Sequence, residues 1–243
     1  MTDVCQFLPW DSAFFGVRIA KVVDQKINRD SAKAINTWCR EQNIRCLYFL
    51  SAGDDQETVA TAEEEGFHLV DIRVTMEQQL LPPKTAQPLP KNIAIRLAAS
   101  SDLPALKALA GSAFSLSRFY FDPGFSRQHC SDLYQTWVEK SCAAANQFVL
   151  AAEVEGKIVG FISAEWEQKR IEYGKIGLLG VAQGMRGRGF GQHLMEHCLE
   201  RLAGMGMRRI EAITQARNIG AQRVNQRTGF ITRSVDLWYH KWI

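Results

Sequence analysis

Residues 47–74 and 210–237 of this chain follow one pattern at a constant separation of 163 positions. Each copy runs from an apolar, strand-like segment through a polar turn and an amphipathic helix to a second strand-like segment. Asp55 falls on Asn218, the pair Gly66-Phe67 falls on Gly229-Phe230, and the preceding stretch "SAKAINTWCREQN" falls on "HLMEHCLERLAGMG". Any two amphipathic β-α-β units would share the periodicity. The matched glycine-phenylalanine pair and the equal lengths favour a true repeat.

Between the copies, residues 80–91 read "LLPPKTAQPLPK" and hold four of the seven prolines. Proline lacks an amide donor and fixes its own φ, so this stretch is extended and barred from a sheet interior. The expected division is a smaller N-terminal domain, 1–79, a linker, 80–91, and a larger C-terminal domain, 92–243. In the larger part "NIAIRLAAS" alternates like a strand. The following "SDLPALKALAGSAF" offers Ser101 or Asp102 as a helix cap and Pro104 in the first turn. The order β-α-α-β-β-β-α-β-α-β follows, for which a mixed sheet with helices on both faces is the economical packing. An apolar content of 46% over 243 residues suffices for a real core.

Charge and cysteine usage exclude several classes. The net charge is +3 with both signs interspersed, so no nucleic-acid tail or polybasic membrane anchor is expected. No segment has the roughly 18 uninterrupted apolar residues of a membrane span. The six cysteines are scattered without a CxxC pair and the start "MTDVCQFLPW" lacks an export pattern, which together suggest reduced thiols in a cytoplasmic protein. His193 and His197 lie four apart, but "HLMEH" has the wrong order for a zinc helix and no third ligand is evident, so no metal is expected.

The chemical signal is "RGRGFG", residues 186–191, between the apolar "KIGLLGVAQGM" and a stretch in which Leu194, Cys198, Leu199 and Leu202 recur at helical spacing. A helix N-terminus leaves its first amides unpaired and carries about half a positive charge, so it attracts phosphate. Glycines let the backbone approach that phosphate, and Arg186 and Arg188 add charge. The loop is suited to a pyrophosphate. Counting back 163 positions lands near "VDQKIN", which has no glycine, so the first copy carries the scaffold without the loop.

With this strand-loop-helix order, Arg186, Gly189 and Gly191 match the Arg/Gln-x-x-Gly-x-Gly/Ala motif, and the chain resembles the GNAT (Gcn5-related) N-acetyltransferase superfamily. "IRLAASSDLPAL" and "NIGAQRVNQRTGF" resemble the family's opening strand-helix and its late helix, so the likeness covers about 92–243. It implies a GNAT fold, α/β with a central mixed, splayed sheet flanked by helices, preceded here by a truncated GNAT-like domain. It implies acetyl-CoA as cosubstrate, held by Leu179, Gly180 and Val181, by the loop residues Arg186, Gly187, Arg188, Gly189, Phe190 and Gly191, and by Asn218 and Asn225. The Leu179 amide would hold the thioester oxygen. "LPWDSAFFGV", "AFSLSRF" and "IGLLGV" resemble the branch acting on the 4-amino group of nucleotide-linked (dTDP or UDP) 4-amino-4,6-dideoxy sugars. That likeness implies a nucleotide-linked amino sugar as partner and leaves room for a homodimer.

Two positions depart from the family pattern. Where many members have a tyrosine that protonates the leaving thiolate, this chain has Asn225, whose amide donates a hydrogen bond but no proton at neutral pH. Tyr239 or Tyr173 is then a replacement candidate, or water. Where some members have a glutamate base, this chain has Lys175, a residue suited to acidic substrate groups. Glu165 or Glu167 is left as the terminus of a water chain. Arg118, Phe119 and Tyr120 are candidates for binding the acceptor's diphosphate and base. The competing reading is a loop that packs Phe114, Phe119 and Phe125 into the core. Acetylation of a protein N-terminus or another small amine, and a non-catalytic acyl-CoA sensor, are the rival functions.

Overall fold

Asp55 and Asn218, 163 positions apart, do the same work in the structure. Asp55 caps a helix by accepting from the Thr58 amide at 2.9 Å, and Asn218 caps its counterpart by accepting from the Ala221 amide at 3.1 Å. Gly66 and Gly229, the glycines that follow these two helices, both take left-handed backbone, with φ of 75° and 105°.

The structure is a computed structural model that describes residues 4–80, 85–90, 92–166 and 172–243. Its first half is β1 (Cys5–Phe7), α1 (Pro9–Phe15), β2 (Ile19–Val22), α2 (Arg29–Glu41), β3 (Cys46–Ala52), α3 (Gln56–Glu64) and β4 (His68–Gln79). The second half opens with β5 (Ile93–Leu97), α4 (Leu103–Ala113), α5 (Arg118–Phe121), α6 (Arg127–Ala143), β6 (Gln147–Val154) and β7 (Lys157–Trp166). It closes with β8 (Tyr173–Val181), α7 (Phe190–Gly204), β9 (Arg209–Gln215), α8 (Ile219–Thr228) and β10 (Ile231–Trp242). The β3/β9 and β4/β10 bounds coincide after the shift of 163.

Among the described residues, ten strands join one mixed sheet in the order β1-β2-β3-β10-β4-β9-β8-β7-β6-β5. The halves exchange their last strands: β10 lies between β3 and β4, and β4 lies between β10 and β9. The pairing Arg73↔Gln215 through Gln79↔Arg209 is the shifted image of Asp236↔Ala52 through Trp242↔Cys46. Arg73 and Asp236, themselves 163 apart, pair with each other, so a pseudo-twofold axis passes between them. The sheet therefore runs across the division at 80–91 without a break.

Helices cover both faces. On one, α2 and α3 pack over Leu47, Phe49 and Tyr239, while α7 packs over Met76, Ile162, Ile210 and Ala212. On the other, α1, α5 and α6 bury Cys46 and Tyr48, and α4 with α6 buries Val149, Ala151 and Phe161. No helix among the described residues is long and apolar enough to cross a membrane.

The symmetry fails at one place. Parallel pairing begins at Ile19↔Cys46 in the first half and at Tyr173↔Arg209 in the second, separations of 27 and 36 residues. The nine additional residues of the second half lengthen β8 and form the glycine loop.

Candidate active site

β8 is paired antiparallel with β7 along its length, up to Gly160↔Val181. On its other side the parallel pairing with β9 stops at Ile176↔Ala212, while β9 continues along β4 to Arg73↔Gln215. From position 177 onward the two strands diverge and leave a wedge. Strand amides alternate in direction, which fixes those that face it. The Leu178 amide donates to Ser163 Oγ at 2.8 Å and the Ala182 amide to the Val159 carbonyl at 2.8 Å, both towards β7. The Leu179 and Val181 amides between them therefore point into the wedge.

The loop continues this row of donors. Gly187 and Gly189 have φ of 76° and 87°, and Gly189 caps α7 without a side-chain hydrogen bond. The first backbone bond of α7 is His193 N–H to the Gly189 carbonyl, so the amides of residues 190–192 have no intrahelical acceptor. Phe190 is buried, so its amide rather than its ring is what it offers a ligand. Arg186 Nε donates to the Val181 carbonyl at 3.1 Å and Nη2 to the Ala113 carbonyl at 3.4 Å, clamping the loop to β8 and α4 while the side chain stays exposed. Arg188 is exposed. Gly180 serves packing, since a Cβ there would stand 2.8 Å from Phe161 and 2.9 Å from Leu109. Unpaired helix amides, glycines at positive φ and wedge-facing amides in line with them fit a pyrophosphate joined to an extended arm.

The other expected residues scatter. Asn218 is occupied as the α8 cap. Asn225 is buried and its Nδ2 is turned to Met76 Sδ at 3.5 Å. Glu165 pairs with Lys175 across β7 and β8, three residues from Ile162, the partner of Leu179, which puts it about 10 Å down the strand from the Leu179 level. Glu167 lies outside the described residues. Lys175 is level with Glu211 of β9. Glu211 is buried and accepts from Arg233 Nη2 at 2.6 Å, and Tyr173 is buried beside it, its phenol pushed up by burial and by Glu211. Tyr239 stacks on Phe49 and meets Phe67 edge-on in the first-half core, so it has no place at the wedge.

Sequence reading named Tyr173 but missed Glu211 and Arg233, which complete this cluster at the wedge's closed end. A glutamate within the apolar strand "RRIEAIT" was the available signal. Arg233 was not legible, because it sits at a bulge between Thr232 and Ser234.

The segment 118–121 also differs from expectation. The Arg118 guanidinium lies 4.3 Å from the Tyr48 ring, 4.2 Å from Phe119 and 4.3 Å from Trp238, and its Nη1 meets His240 Nε2 at 2.5 Å. Phe119 and Phe125 are core residues, as the competing reading has it, and Tyr120 is half-buried under Arg127. The exposed aromatic of the run is Phe121, 51% exposed.

His240 links this segment to β10. Its Nδ1 lies 2.5 Å from Asp122 Oδ2, and Asp122 also accepts from Trp242 Nε1 at 3.0 Å and the Gly124 amide at 2.8 Å. Arg118 has only protons to give, so Nε2 accepts and the neutral Nδ1–H form donates to Asp122. Complete burial holds the imidazole down to about 4, Asp122 opposing this and Arg118 adding to it. Between the ordinary 6.5 and about 4 the unfolded chain binds a proton that the folded chain refuses. The stability carried by neutral His240 is present above 6.5 and lost as pH falls towards 4. In urea titrations the advantage of the wild type over His240→Gln should shrink by about 3 kcal/mol across that window. A constant gap would contradict this assignment of the proton.

A family model described as "Acetyltransferase (GNAT) family" matches residues 112–230. The chain is 27% identical over 237 residues to a dTDP-fucosamine acetyltransferase of Escherichia coli O6:H1, covering 96% of each chain. It is 26% identical over 141 residues to the spore coat polysaccharide biosynthesis protein SpsD of Bacillus subtilis. That match covers 58% of this chain and 48% of SpsD, so the chain spans about half of this relative's length. A solved GCN5-related N-acetyltransferase from Sphaerobacter thermophilus has a TM-score of 0.73 at 18% identity, covering 98% of this chain and 76% of that one, a likeness of fold.

Proposed function

This chain carries an acetyltransferase domain of the GNAT family on a GNAT fold, which makes it an N-acetyltransferase in class; from that premise we propose that it acetylates the 4-amino group of a nucleotide-linked 4-amino-4,6-dideoxy sugar. The observation that carries the donor half of this reading is the wedge between β8 and β9, continued by the free amides of the glycine loop. The acceptor half is supported by likeness, over nearly the whole chain, to a protein named for dTDP-fucosamine.

Acetyl-CoA, when bound, supplies an activated acyl group as a thioester. The amides around 187–191 would take its pyrophosphate, and those of Leu179 and Val181 the arm and the thioester oxygen. The Leu179 amide gains most when negative charge collects on that oxygen, because it is fixed in place before the amine attacks. Holding both reactants on one strand edge removes the entropy cost of their encounter. Asn225 has no proton to give and is already turned to Met76, so the departing sulfur takes its proton from water. A sugar amine is less basic than lysine, and a water chain ending on Glu165 suffices to take up its proton. Cys198 is buried in α7 and burial pushes its thiol up, which argues against an acyl-enzyme step.

The wedge-facing amide can be deleted by itself. Leu179→Pro removes an N–H that makes no bond to β7, so the ladder survives. The turnover number should fall by on the order of a hundredfold to a thousandfold with little change in acetyl-CoA affinity. Unchanged turnover would remove Leu179 from the chemistry. The acceptor is tested by thiol release with dTDP- and UDP-linked 4-amino sugars. Turnover with peptides alone would overturn the sugar reading, and no release above the protein-free rate with any amine would favour an acyl-CoA sensor.

A further inference from the structure

The parallel pairing of β8 and β9 ends at Ile176↔Ala212, β9 runs on to Gln215, and Arg217 follows in the turn that leads to α8. Arg217 thus lies just past the end of the strand that forms the far bank of the wedge, and its side chain reaches over β4. Its guanidinium lies 3.5 Å from the ring of Phe121, which α5 carries across β4. Phe121 is the exposed member of a run whose Phe119 is buried and whose Arg118 is half-buried against Tyr48. One face of its ring is backed by a cation, and half of the side chain is open.

The charge of Arg217 is incompletely matched. Nη2 donates to the Val70 carbonyl at 3.1 Å and lies 3.8 Å from Asp71 Oδ1, too far for a hydrogen bond. Nη1 has no partner among the described residues, and neither has Nε of Arg73, two positions from Asp71 on the same face of β4. Buried donors without acceptors are rare and call for an explanation.

We propose that Phe121 and Arg217 form the seat for the nucleoside diphosphate of the acceptor, the base or sugar resting on the ring and the diphosphate pairing with the incompletely matched guanidinium charge. This inference rests on the acceptor reading above. It takes Phe121 and Arg217 in place of Arg118 and Phe119 because they combine an exposed ring with an adjacent, partly exposed guanidinium.

The test is calorimetry with dTDP itself on the wild type, Phe121→Ala and Arg217→Gln, alongside kinetics with a dTDP-linked 4-amino-4,6-dideoxy sugar and its methyl glycoside. Each variant should weaken dTDP binding by at least about tenfold, the scale of one lost charged hydrogen bond or ring stack. The preference for the dTDP-linked sugar over the methyl glycoside should fall in step, through KM. Phe121 is exposed, so its variant should fold even where Arg217→Gln does not. Equal dTDP affinity in the wild type and Phe121→Ala, or equal losses on both acceptors, would overturn the seat. If dTDP binding weakens in the variants of a protein that acetylates no sugar nucleotide, the seat stands and the acceptor reading falls.

Discussion

A chain reduced to residues 92–243 is expected to show no cooperative thermal transition, although it retains the glycine loop and the wedge strands. Every neighbour of β10 belongs to the first half, and β9 has β4 as its antiparallel partner. Without residues 1–91, β10 has no sheet to join. Leu237, Trp238 and Tyr239 then lose their packing against first-half residues, about 2 kcal/mol for each large side chain returned to water. Unpaired strand edges of this kind invite aggregation. Co-expression with residues 1–91 should restore a soluble two-fragment complex, since the described linker residues supply no strand. A soluble fragment 92–243 that melts cooperatively would show that the second half stands alone and that the exchange is dispensable.

Gly189→Glu should abolish acetyl-CoA binding while leaving the protein folded. The position caps α7 at a φ of 87°, and a Cβ there meets nothing closer than His193 at 3.7 Å, so space is available and the cost is backbone strain of about 1–2 kcal/mol. A carboxylate at the same point opposes the pyrophosphate. Like unit charges about 4 Å apart near a protein surface repel by about 4 kcal/mol, on the order of a thousandfold in affinity. Gly189→Ala carries the strain without the charge. It should lose far less affinity than the glutamate variant, and both should melt within a few degrees of each other. Equal affinity in the glutamate variant and the wild type would place the anion elsewhere.

The two copies of the β-α-β pattern were legible because they are local. Caps, terminal glycines and strand lengths are written within a few residues of where they act, and Asp55, Asn218, Gly66 and Gly229 all take the backbone roles their types suit. The strand exchange was not legible. The alternation in "SVDLWYHKW" announces a strand but not the edge it joins, and its partners lie far back in the first half. The loop could be read as an anion site from three glycines and two arginines, but the two carbonyls that Arg186 also holds were visible only in tertiary geometry. In "SRFYF" the sequence pointed to Arg118, Phe119 and Tyr120 but gave no sign that Phe121 is the exposed ring. Four residues make one helical turn, and which side chain faces outward is set by how that turn docks on β4 and β10. Docking encloses Arg118 against Tyr48 and Trp238 and leaves Phe121 out.

A crystal structure with acetyl-CoA bound tests the central claim most directly. The account predicts pyrophosphate oxygens within hydrogen-bonding distance of the main-chain amides between Gly187 and Gln192, the arm between β8 and β9, and the thioester oxygen on the Leu179 amide. Acetyl-CoA seated anywhere else, with the wedge beside Leu179 left clear, would contradict it.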